Sequence, residues 1–416
     1  MKIIVLGTLV PAEYENRIRD LSNAGNRFLM NFTRQLAKSN EVEVYSYLGI
    51  DVDGEVFNDL KKNQVADGAK LGIKIEYFYK SKYKLKGVLK YKSKVKASLE
   101  TADLVITYNA TYAWMFASRL AKQLGKKSLL ILADYSPVES YSSPIMKKYA
   151  ALELRAIKGY DYVVGLSEGS KAMLEENQKF ICIEGGIDRA VYDYFKKEEV
   201  DINTPSQKTL EKLQPISLED IEENEKASGA TKFEEGTVKY MYAGVLEPVT
   251  GIDMLLEAFS KNKAENLRLY ISGKGTLSNM VEEYSKRDFR IIYLGCPPYG
   301  EYLDNLSKAD VLVNPRNMSL PENANNFPSK IMEYLATGKS IISTRFPGFN
   351  KFEEYIFFCD SSVDALQEAI EKKSCDISTE TINEIYIKNR EFAEEFLWEN
   401  QVDKIVSAIS GRSFFG

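Results

Sequence analysis

Short runs of apolar, often β-branched residues recur along this chain and alternate with longer stretches in which apolar residues recur every three or four positions. The short runs predict strands and the longer stretches predict helices. In the first half the predicted strands are Lys2–Gly7, Val42–Tyr47, Ile73–Tyr79, Asp103–Tyr108, Ser128–Ala133, Tyr162–Ser167 and Phe180–Glu184. In the second half they are Val238–Ala243, Leu267–Ser272, Arg290–Leu294, Val311–Asn314, Ser340–Thr344 and Tyr355–Cys359. This alternation predicts an α/β fold with parallel sheets that are covered on both faces by helices.

The two series of strands predict two Rossmann-like domains, residues 1–195 and 237–391. Residues 196–236 contain eleven carboxylates and six lysines, a composition typical of a solvated linker or insertion. Apolar residues at helical spacing near the C-terminus predict amphipathic helices at about 392–416.

Composition limits the classes of function. The formal net charge of −5 predicts no general attraction to nucleic acid. The four cysteines, none at C-x-x-C spacing, suggest neither a zinc site nor a redox pair and are typical of a reducing compartment. The opening apolar run is too short for a signal sequence, and no run of 18 apolar residues predicts a transmembrane helix. We therefore expect a cytoplasmic protein.

The chain contains no histidine. Catalysis by Ser-His-Asp or Cys-His arrangements and metal sites with histidine ligands are therefore excluded. Any proton transfer falls to Asp, Glu, Lys, Tyr, the substrate or water.

The segment 325–339 reads as a loop followed by a short helix, with Pro328 at the first helical position and Gly338 at its end. The free N–H groups at 328–331 would form an anion site. Lys330 and Glu333 are three residues apart and share one helix face, so phosphate and sugar hydroxyls could be bound side by side. This combination suits a sugar nucleotide; the alternative is an amphipathic helix with solvated charges.

Taken together in order and spacing, several segments resemble glycosyltransferase family 4, whose enzymes have the GT-B fold. In the first half these segments are 4–7, 25–38, 42–44, 133–134, 167–168 and 186–188; in the second half they are 243–246, 251–253, 271–275, 293–295, 309–315 and 327–339. Asn314-Pro315-Arg316 together with Phe327-Pro328-Ser329-Lys330 is similar to polysaccharide-building members of this family.

The resemblance implies a transferase that moves a sugar from a nucleotide donor to an acceptor hydroxyl, usually with retention of anomeric configuration and without a metal. The donor would lie on the C-terminal domain, the acceptor on the N-terminal domain, and the C-terminal helices would cross back to the latter. The resemblance implies no cofactor, because the nucleotide sugar is a substrate. UDP is favoured as the nucleotide of this donor. The implied donor-binding residues are Gly244, Gly273, Lys274, Gly295, Asn326, Phe327, Pro328, Ser329 and Glu333.

Three positions depart from the family pattern. Asn325 stands where the family commonly has a glutamate, although Glu322 is close in sequence, and Val245 and Thr250 replace an arginine and a lysine that bind phosphate. A departing diphosphate needs compensating positive charge, for which Arg316 and Lys330 are the candidates, with Lys274 as a third. The candidate catalytic residues are Asp134, Asn325, Arg316 and Lys330.

On the acceptor side, the candidates are Gly25, Asn26 and Arg27 at the start of a helix, and Glu139 beyond the strand that precedes Asp134. Free amides and an arginine there could contact acceptor or phosphate. Ordinary helix capping and turn formation are the alternatives.

Residues 80–96 contain eight lysines and no acid, interleaved with apolar residues. This segment could lie peripherally on an anionic membrane, or be a solvated helix or a protein contact. No nucleic acid partner is expected.

The sequence thus predicts a glycosyltransferase that uses a glycan or lipid-linked acceptor in bacterial surface polysaccharide or glycoconjugate synthesis, in the cytoplasm at the inner membrane face. The alternative is a non-catalytic partner subunit with the same fold, suggested by residues 245, 250 and 325. Fingerprints of nicotinamide enzymes and of P-loop proteins are absent from the sequence.

Overall fold

In this computed structural model, the strands form two parallel sheets. The structure describes residues 1–18, 21–48, 52–79, 84–111, 113–133, 138, 141–196, 233–323, 327–375 and 379–411. The chain forms two compact units. The first comprises Met1–Gly186 with Trp398–Gly416, and the second comprises Ile187–Leu397.

The sheet of the first unit has the order β3-β2-β1-β4-β5-β6-β7. Its strands are β1 (Lys2–Gly7), β2 (Glu41–Leu48), β3 (Lys74–Tyr79), β4 (Leu104–Tyr108), β5 (Lys127–Leu132), β6 (Tyr162–Gly165) and β7 (Lys179–Cys182). Its helices are α1 (Asn23–Ala37), α2 (Gly54–Leu71), α3 (Lys84–Thr101), α4 (Ala117–Gln123) and α5 (Pro144–Ile157).

Alternate residues of the central strands face opposite sides of this sheet. Ile3 and Val5 of β1 pack in a core with α1 and α2, whereas Ile4 and Leu6 pack in a core with α3 and α4. The sheet is therefore buried on both faces, which explains why its strands read as continuous apolar runs.

The sheet of the second unit has the order β10-β9-β8-β11-β12-β13. Its strands are β8 (Val238–Ala243), β9 (Leu267–Ser272), β10 (Ile291–Gly295), β11 (Val311–Asn314), β12 (Ser340–Thr344) and β13 (Phe357–Cys359). Its helices are α6 (Arg189–Tyr194), α7 (Ile252–Lys261), α8 (Ser278–Arg287), α9 (Tyr299–Lys308), α10 (Lys330–Thr337), α11 (Val363–Cys375) and α12 (Thr379–Glu394).

The last helix, α13 (Trp398–Ser410), belongs to the first unit. The Trp398 ring lies 4.8 Å from the Phe28 ring of α1 in an edge-to-face arrangement. Gly186 makes room for this indole, since a Cβ there would lie 2.3 Å from it. The C-terminal helix therefore completes the core that α1 covers.

The chain leaves the first unit at Gly186, nine residues before the predicted domain end at 195. The reason is that α6 is bonded to α12, whose Glu394 accepts a hydrogen bond of 2.9 Å from the Tyr192 hydroxyl. Most of the predicted linker or insertion, residues 197–232, lies outside the described residues.

Every predicted strand is present, with ends that differ by at most two residues. The strand predicted at 355–359 begins only at Phe357, because the N–H groups of Tyr355 and Ile356 donate to the Phe352 carbonyl in a preceding turn. The predicted α/β class with two parallel sheets is confirmed.

Candidate functional site

The candidate site lies at the carboxyl ends of the central strands in the second unit. β8 and β11 are neighbours in the sheet. The chain continues from β8 to β9 and β10 on one side, and from β11 to β12 and β13 on the other side. In parallel α/β sheets, such a switch point leaves a crevice in which ligands bind. The loops that begin at Gly244 and Pro315 follow these two strands and therefore border the crevice.

Two glycines allow the loops at this edge to pack closely. Gly244 has φ +155° and Gly273 has φ +143°, conformations that L side chains rarely adopt. A Cβ on Gly273 would lie 1.7 Å from the Gly244 carbonyl oxygen, and a Cβ on Gly244 would lie 2.4 Å from Nζ of Lys330. The missing side chain at Gly244 thus makes room for the Lys330 ammonium, whereas the sequence interpretation gave this space to the donor.

The segment before α10 differs from the predicted helix start. The helix begins at Lys330, so Pro328 lies two residues ahead of it and the prediction that Pro328 is the first helical residue is wrong. Ile331 N–H donates to the Pro328 carbonyl at 2.9 Å and Met332 N–H donates to the Ser329 carbonyl at 3.2 Å. These i→i+3 bonds tighten the first turn and occupy the Ile331 amide, which was expected to bind an anion. Gly338 ends the helix with φ +70°, as the sequence predicts.

Lys330 projects from the first turn of α10 into a largely enclosed environment. Its ammonium donates to the Tyr242 hydroxyl at 3.0 Å and lies 4.2 Å from the centre of that ring. The same hydroxyl donates its proton to the Val245 carbonyl at 2.6 Å, so it can accept from the lysine. Burial, together with the nearby Arg316 charge, lowers the pKa of Lys330 to about 7.

Arg316 directly follows β11 and is the second cation at this edge. Its Nε donates to the side-chain oxygen of Asn323. Asn323 is itself buried and donates to the carbonyls of Val249 and Asn317, both at 2.7 Å. The structure therefore brings Arg316 and Lys330 together, two of the cations proposed to bind phosphate, and fixes Arg316 through a buried amide.

Val245 and Thr250, the neutral residues that stand in for two cations, form hydrogen bonds within their own loop. The Thr250 hydroxyl donates to the carbonyls of Val245 at 3.0 Å and Glu247 at 2.7 Å. The Glu247 carboxylate in turn accepts from the Thr276 N–H at 2.9 Å. Positive charge at this edge thus comes from other residues, among them Arg316 and Lys330.

Glu333, one turn after Lys330, is half-buried and its two carboxylate oxygens accept from two tyrosines of α9. Tyr302 donates to Oε2 at 2.5 Å and Tyr299 donates to Oε1 at 3.3 Å. Sequence reasoning missed both tyrosines. Their spacing of three residues directly after Pro297-Pro298 was the available signal.

Other residues hold α10 in place. The Tyr334 hydroxyl accepts from the Ala243 N–H at 3.0 Å, which fastens the helix to the end of β8. At the other end, Arg390 Nη1 of α12 donates to the Ala336 carbonyl at 2.7 Å and Asn389 donates to the Lys339 carbonyl at 2.9 Å. These anchors depend on tertiary contacts that spacing along the chain does not reveal.

The remaining donor-side candidates are placed as follows. Lys274 is exposed and forms no ion pair within the described part of the chain. Gly295 has φ +68°, and its carbonyl accepts from the Gly273 N–H at 2.7 Å. Phe327 is buried against Phe346 with ring centres 5.1 Å apart, so its side chain belongs to the core. Glu322 is exposed in a turn. Asp134, Glu139, Asn325 and Asn326 lie outside the described residues.

The acceptor-side candidates at the start of α1 have structural partners. The Gly25 N–H donates to the Ser22 hydroxyl at 3.1 Å, as in an ordinary N-cap. The Asn26 amide is buried, donates to the Val10 carbonyl and to Glu15, both at 2.9 Å, and accepts from the Val10 N–H at 2.9 Å. Arg27 lies 3.6 Å from Glu15. The side chain of Asn26 therefore holds the loop after β1, whereas Ser22 caps the helix.

Part of the lysine-rich segment is described, namely the helix from Lys84. Tyr91 and Val95 are completely buried in the core of the first unit, whereas Lys90, Lys92 and Lys94 are exposed. Tyr91 and Val95, which were expected to face lipid, therefore pack against the protein core instead. Residues 80–83 lie outside the described part.

Within the described ranges, no group of three or more Cys, Asp or Glu side chains is placed to hold a metal ion. In the same ranges, no helix is both long and apolar enough to cross a membrane.

Comparisons with known proteins agree with this architecture. Residues 223–376 match the family model "Glycosyl transferases group 1". A comparison with curated protein sequences gave no match.

Solved structures with the same fold cover almost the whole chain. Anabaena Alr3699/HepE in complex with UDP has a TM-score of 0.68 at 15% identity, covering 99% of this chain and 100% of that one. The N-terminal domain of Candida albicans trehalose-6-phosphate phosphatase has a TM-score of 0.70 at 12% identity, covering 99% and 97%. WaaG, a glycosyltransferase involved in lipopolysaccharide biosynthesis, has a TM-score of 0.61 at 15% identity, covering 98% and 100%. The chain has the GT-B fold, and its second unit carries the group 1 glycosyltransferase signature.

Proposed function

We propose that this protein is a glycosyltransferase that transfers a sugar from a UDP-sugar to a hydroxyl of a glycan or lipid-linked acceptor. The observation that carries the proposal is the pairing of Lys330 and Glu333 on one face of α10, beside Arg316 at the switch point of the sheet. A diphosphate needs cations and a ribose needs hydrogen-bond acceptors. Lys330 and Glu333 supply one of each within one helical turn, and Arg316 adds a second cation.

In the proposed complex, Arg316 and Lys330 bind the diphosphate and Glu333 accepts hydrogen bonds from the ribose hydroxyls. Gly273, Lys274 and Gly295 lie at the neighbouring strand ends, where backbone groups would contact the nucleotide. Entry of a diphosphate favours the charged form of Lys330, whose pKa of about 7 leaves it partly neutral near pH 7.

The proposed reaction breaks the bond between the anomeric carbon and the diphosphate oxygen and forms a bond to the acceptor oxygen. The departing diphosphate takes the acceptor proton, which accounts for chemistry without histidine. Positive charge from Arg316 and Lys330 stabilises the leaving group as its negative charge develops. Asp134 and Asn325 are proposed to orient acceptor and donor sugar. We propose retention of configuration without a metal, and inversion in the product would contradict this route.

Structural relatives support the choice of donor and pathway. HepE structures have been obtained with UDP and with UDP-glucose, and WaaG is a glycosyltransferase involved in lipopolysaccharide biosynthesis. We therefore propose a role in bacterial surface polysaccharide or glycoconjugate synthesis. The second candidate is a non-catalytic partner subunit, favoured by the neutral residues at 245 and 250.

We further propose that the protein is cytoplasmic and touches the inner membrane face peripherally. The exposed lysines of α3 would supply attraction to anionic lipid. α5 carries exposed Ile145, Met146, Tyr149 and Leu152, which would add apolar contact. Equal binding to neutral and anionic vesicles would contradict this lipid interaction.

The test of the donor site is calorimetric titration with UDP, other nucleotides and UDP-sugars. Glu333→Ala removes a charged acceptor, so we expect binding to weaken by about 1.5–3 kcal/mol, roughly tenfold to a hundredfold. Glu282→Ala is the matched control because Glu282 is exposed on α8.

The two candidate functions predict different results. Nucleotide binding followed by hydrolysis or transfer of the donor sugar supports the enzyme. Tight binding without any turnover supports the partner subunit. No nucleotide binding by the wild type would refute the proposed donor site.

A further inference from the structure

Two tyrosine hydroxyls hold the carboxylate of Glu333 from one side. Tyr302 and Tyr299 each donate to a different carboxylate oxygen, at 2.5 Å and 3.3 Å respectively. A carboxylate bound at both oxygens cannot rotate about its terminal bond without breaking both hydrogen bonds. The plane of this acceptor is therefore set by α9, while Glu333 itself belongs to α10.

The tyrosines form a stacked pair. They are three residues apart on α9, and their rings are stacked with centres 5.6 Å apart and planes inclined by 18°. Burial, reinforced by the charge of Glu333, raises the pKa of Tyr302 well above its ordinary value, so this hydroxyl remains a donor across the physiological range.

An ionised carboxylate is an acceptor only, with about four lone-pair positions on its two oxygens. The tyrosines use one position on each oxygen, which leaves one on each for a second donor. Two adjacent hydroxyls, as on a ribose, match this remaining pair. A 2′-deoxyribose offers only one hydroxyl and would leave one position without a partner.

We propose that Tyr302 and Tyr299 are positioning residues that make Glu333 selective for a ribonucleotide over a 2′-deoxyribonucleotide. The inference rests on the proposed function, because it requires the nucleotide donor to lie on α10. It adds two residues of α9 to that site and assigns them a measurable consequence, the ribose preference.

The experiment compares the affinities of UDP and 2′-deoxy-UDP by calorimetry for the wild type, Tyr302→Phe, Tyr299→Phe and Glu333→Gln. Loss of one positioning hydrogen bond should lower the UDP preference about three- to tenfold in Tyr302→Phe. Tyr299→Phe should have a smaller effect because its bond is longer. Glu333→Gln should lower the preference at least as far as Tyr302→Phe.

Tyr240→Phe is the matched control. It also removes a buried hydroxyl, which donates to the Ile370 carbonyl at 2.9 Å, but Tyr240 lies near the beginning of β8, away from the carboxyl edge. A merely structural role for Tyr302 would weaken both ligands equally, as expected for this control. Tyr299→Phe provides an independent test if Tyr302→Phe proves unstable.

Three results would overturn the inference. An unchanged UDP preference in both tyrosine variants overturns the positioning role alone, with UDP binding and the proposed function intact. Equal wild-type affinity for both nucleotides shows that the ribose 2′-hydroxyl is not recognised at Glu333. Failure of the wild type to bind either nucleotide refutes the proposed function itself, and with it this inference.

Discussion

At the scale of single residues, the site combines two cations and one carboxylate whose environments differ sharply. Arg316 is fixed by the buried Asn323 amide, whereas Lys330 stacks on Tyr242. A guanidinium stays charged, but an ammonium that is enclosed loses its proton more readily. Lys330 is therefore the residue of this pair that titrates near neutral pH. We expect it to become more fully protonated when a diphosphate occupies the site.

The first prediction concerns Lys330 and pH. Its folded pKa of about 7 lies below its ordinary value, so between about pH 7 and 10 the unfolded chain binds more protons. Burying the charged Lys330 ammonium therefore lowers the free energy of unfolding by its full amount below pH 7. This loss becomes smaller as the pH rises from about 7 to 10. We expect Lys330→Met to stabilise the protein by about 1–3 kcal/mol at pH 6 and by less at pH 9. Urea unfolding at the two pH values measures this difference.

The control for this experiment is Lys274→Met, which changes an exposed lysine. Its effect on stability should be small and nearly equal at both pH values. A gain from Lys330→Met that is equal at pH 6 and pH 9 would contradict the lowered pKa of Lys330.

At the scale of elements, α10 carries the site and is fastened at both ends. Tyr334 connects it to β8, and Arg390 of α12 donates to the Ala336 carbonyl near its C-terminal end. Arg390 also donates to the Tyr192 carbonyl of α6 and lies 3.6 Å from the centre of the Tyr192 ring. A short helix has little stability of its own, so these contacts determine where Lys330 and Glu333 lie.

The second prediction therefore concerns Arg390. Arg390→Met leaves two buried carbonyls without their charged donor and should destabilise the second unit by about 2–4 kcal/mol. Because α10 loses an anchor, affinity for UDP should also fall. Thermal unfolding and calorimetry measure the two effects. Arg287→Met, at an exposed position of α8, should change neither. Full UDP affinity in Arg390→Met would show that α10 is positioned without this arginine.

At the scale of the whole molecule, the first unit is built from two separate chain segments, whereas the second unit is one continuous segment. α6 belongs with the second unit although it follows β7 closely, and α13 returns to the first unit from the C-terminus. Trp398, Val402, Ile405 and Ile409 of α13 are buried in the core of the first unit. The first unit therefore needs both ends of the chain.

The third prediction follows from the return of α13 to the first unit. Trp398→Ala removes a large side chain from a close-packed core and should destabilise the first unit by about 3–5 kcal/mol. The proposed UDP site lies in the second unit, so UDP binding should persist below the unfolding temperature of the variant. Tryptophan fluorescence of Trp114 in the first unit reports unfolding, and calorimetry reports UDP binding. Loss of UDP binding in a variant that remains folded would contradict this separation.

The sequence alone determined the strands, the two sheets and the C-terminal end of α10, because apolar periodicity and the Gly338 stop are local properties of the chain. It also singled out Arg316, Lys330 and Glu333 as members of one candidate site. Only the tertiary structure decided that Lys330 fills the space above Gly244, that Asn26 is structural, and that Tyr299, Tyr302 and Arg390 support α10. These facts depend on side chains that are distant in sequence, and spacing along the chain does not specify which of them meet when helices and sheets pack.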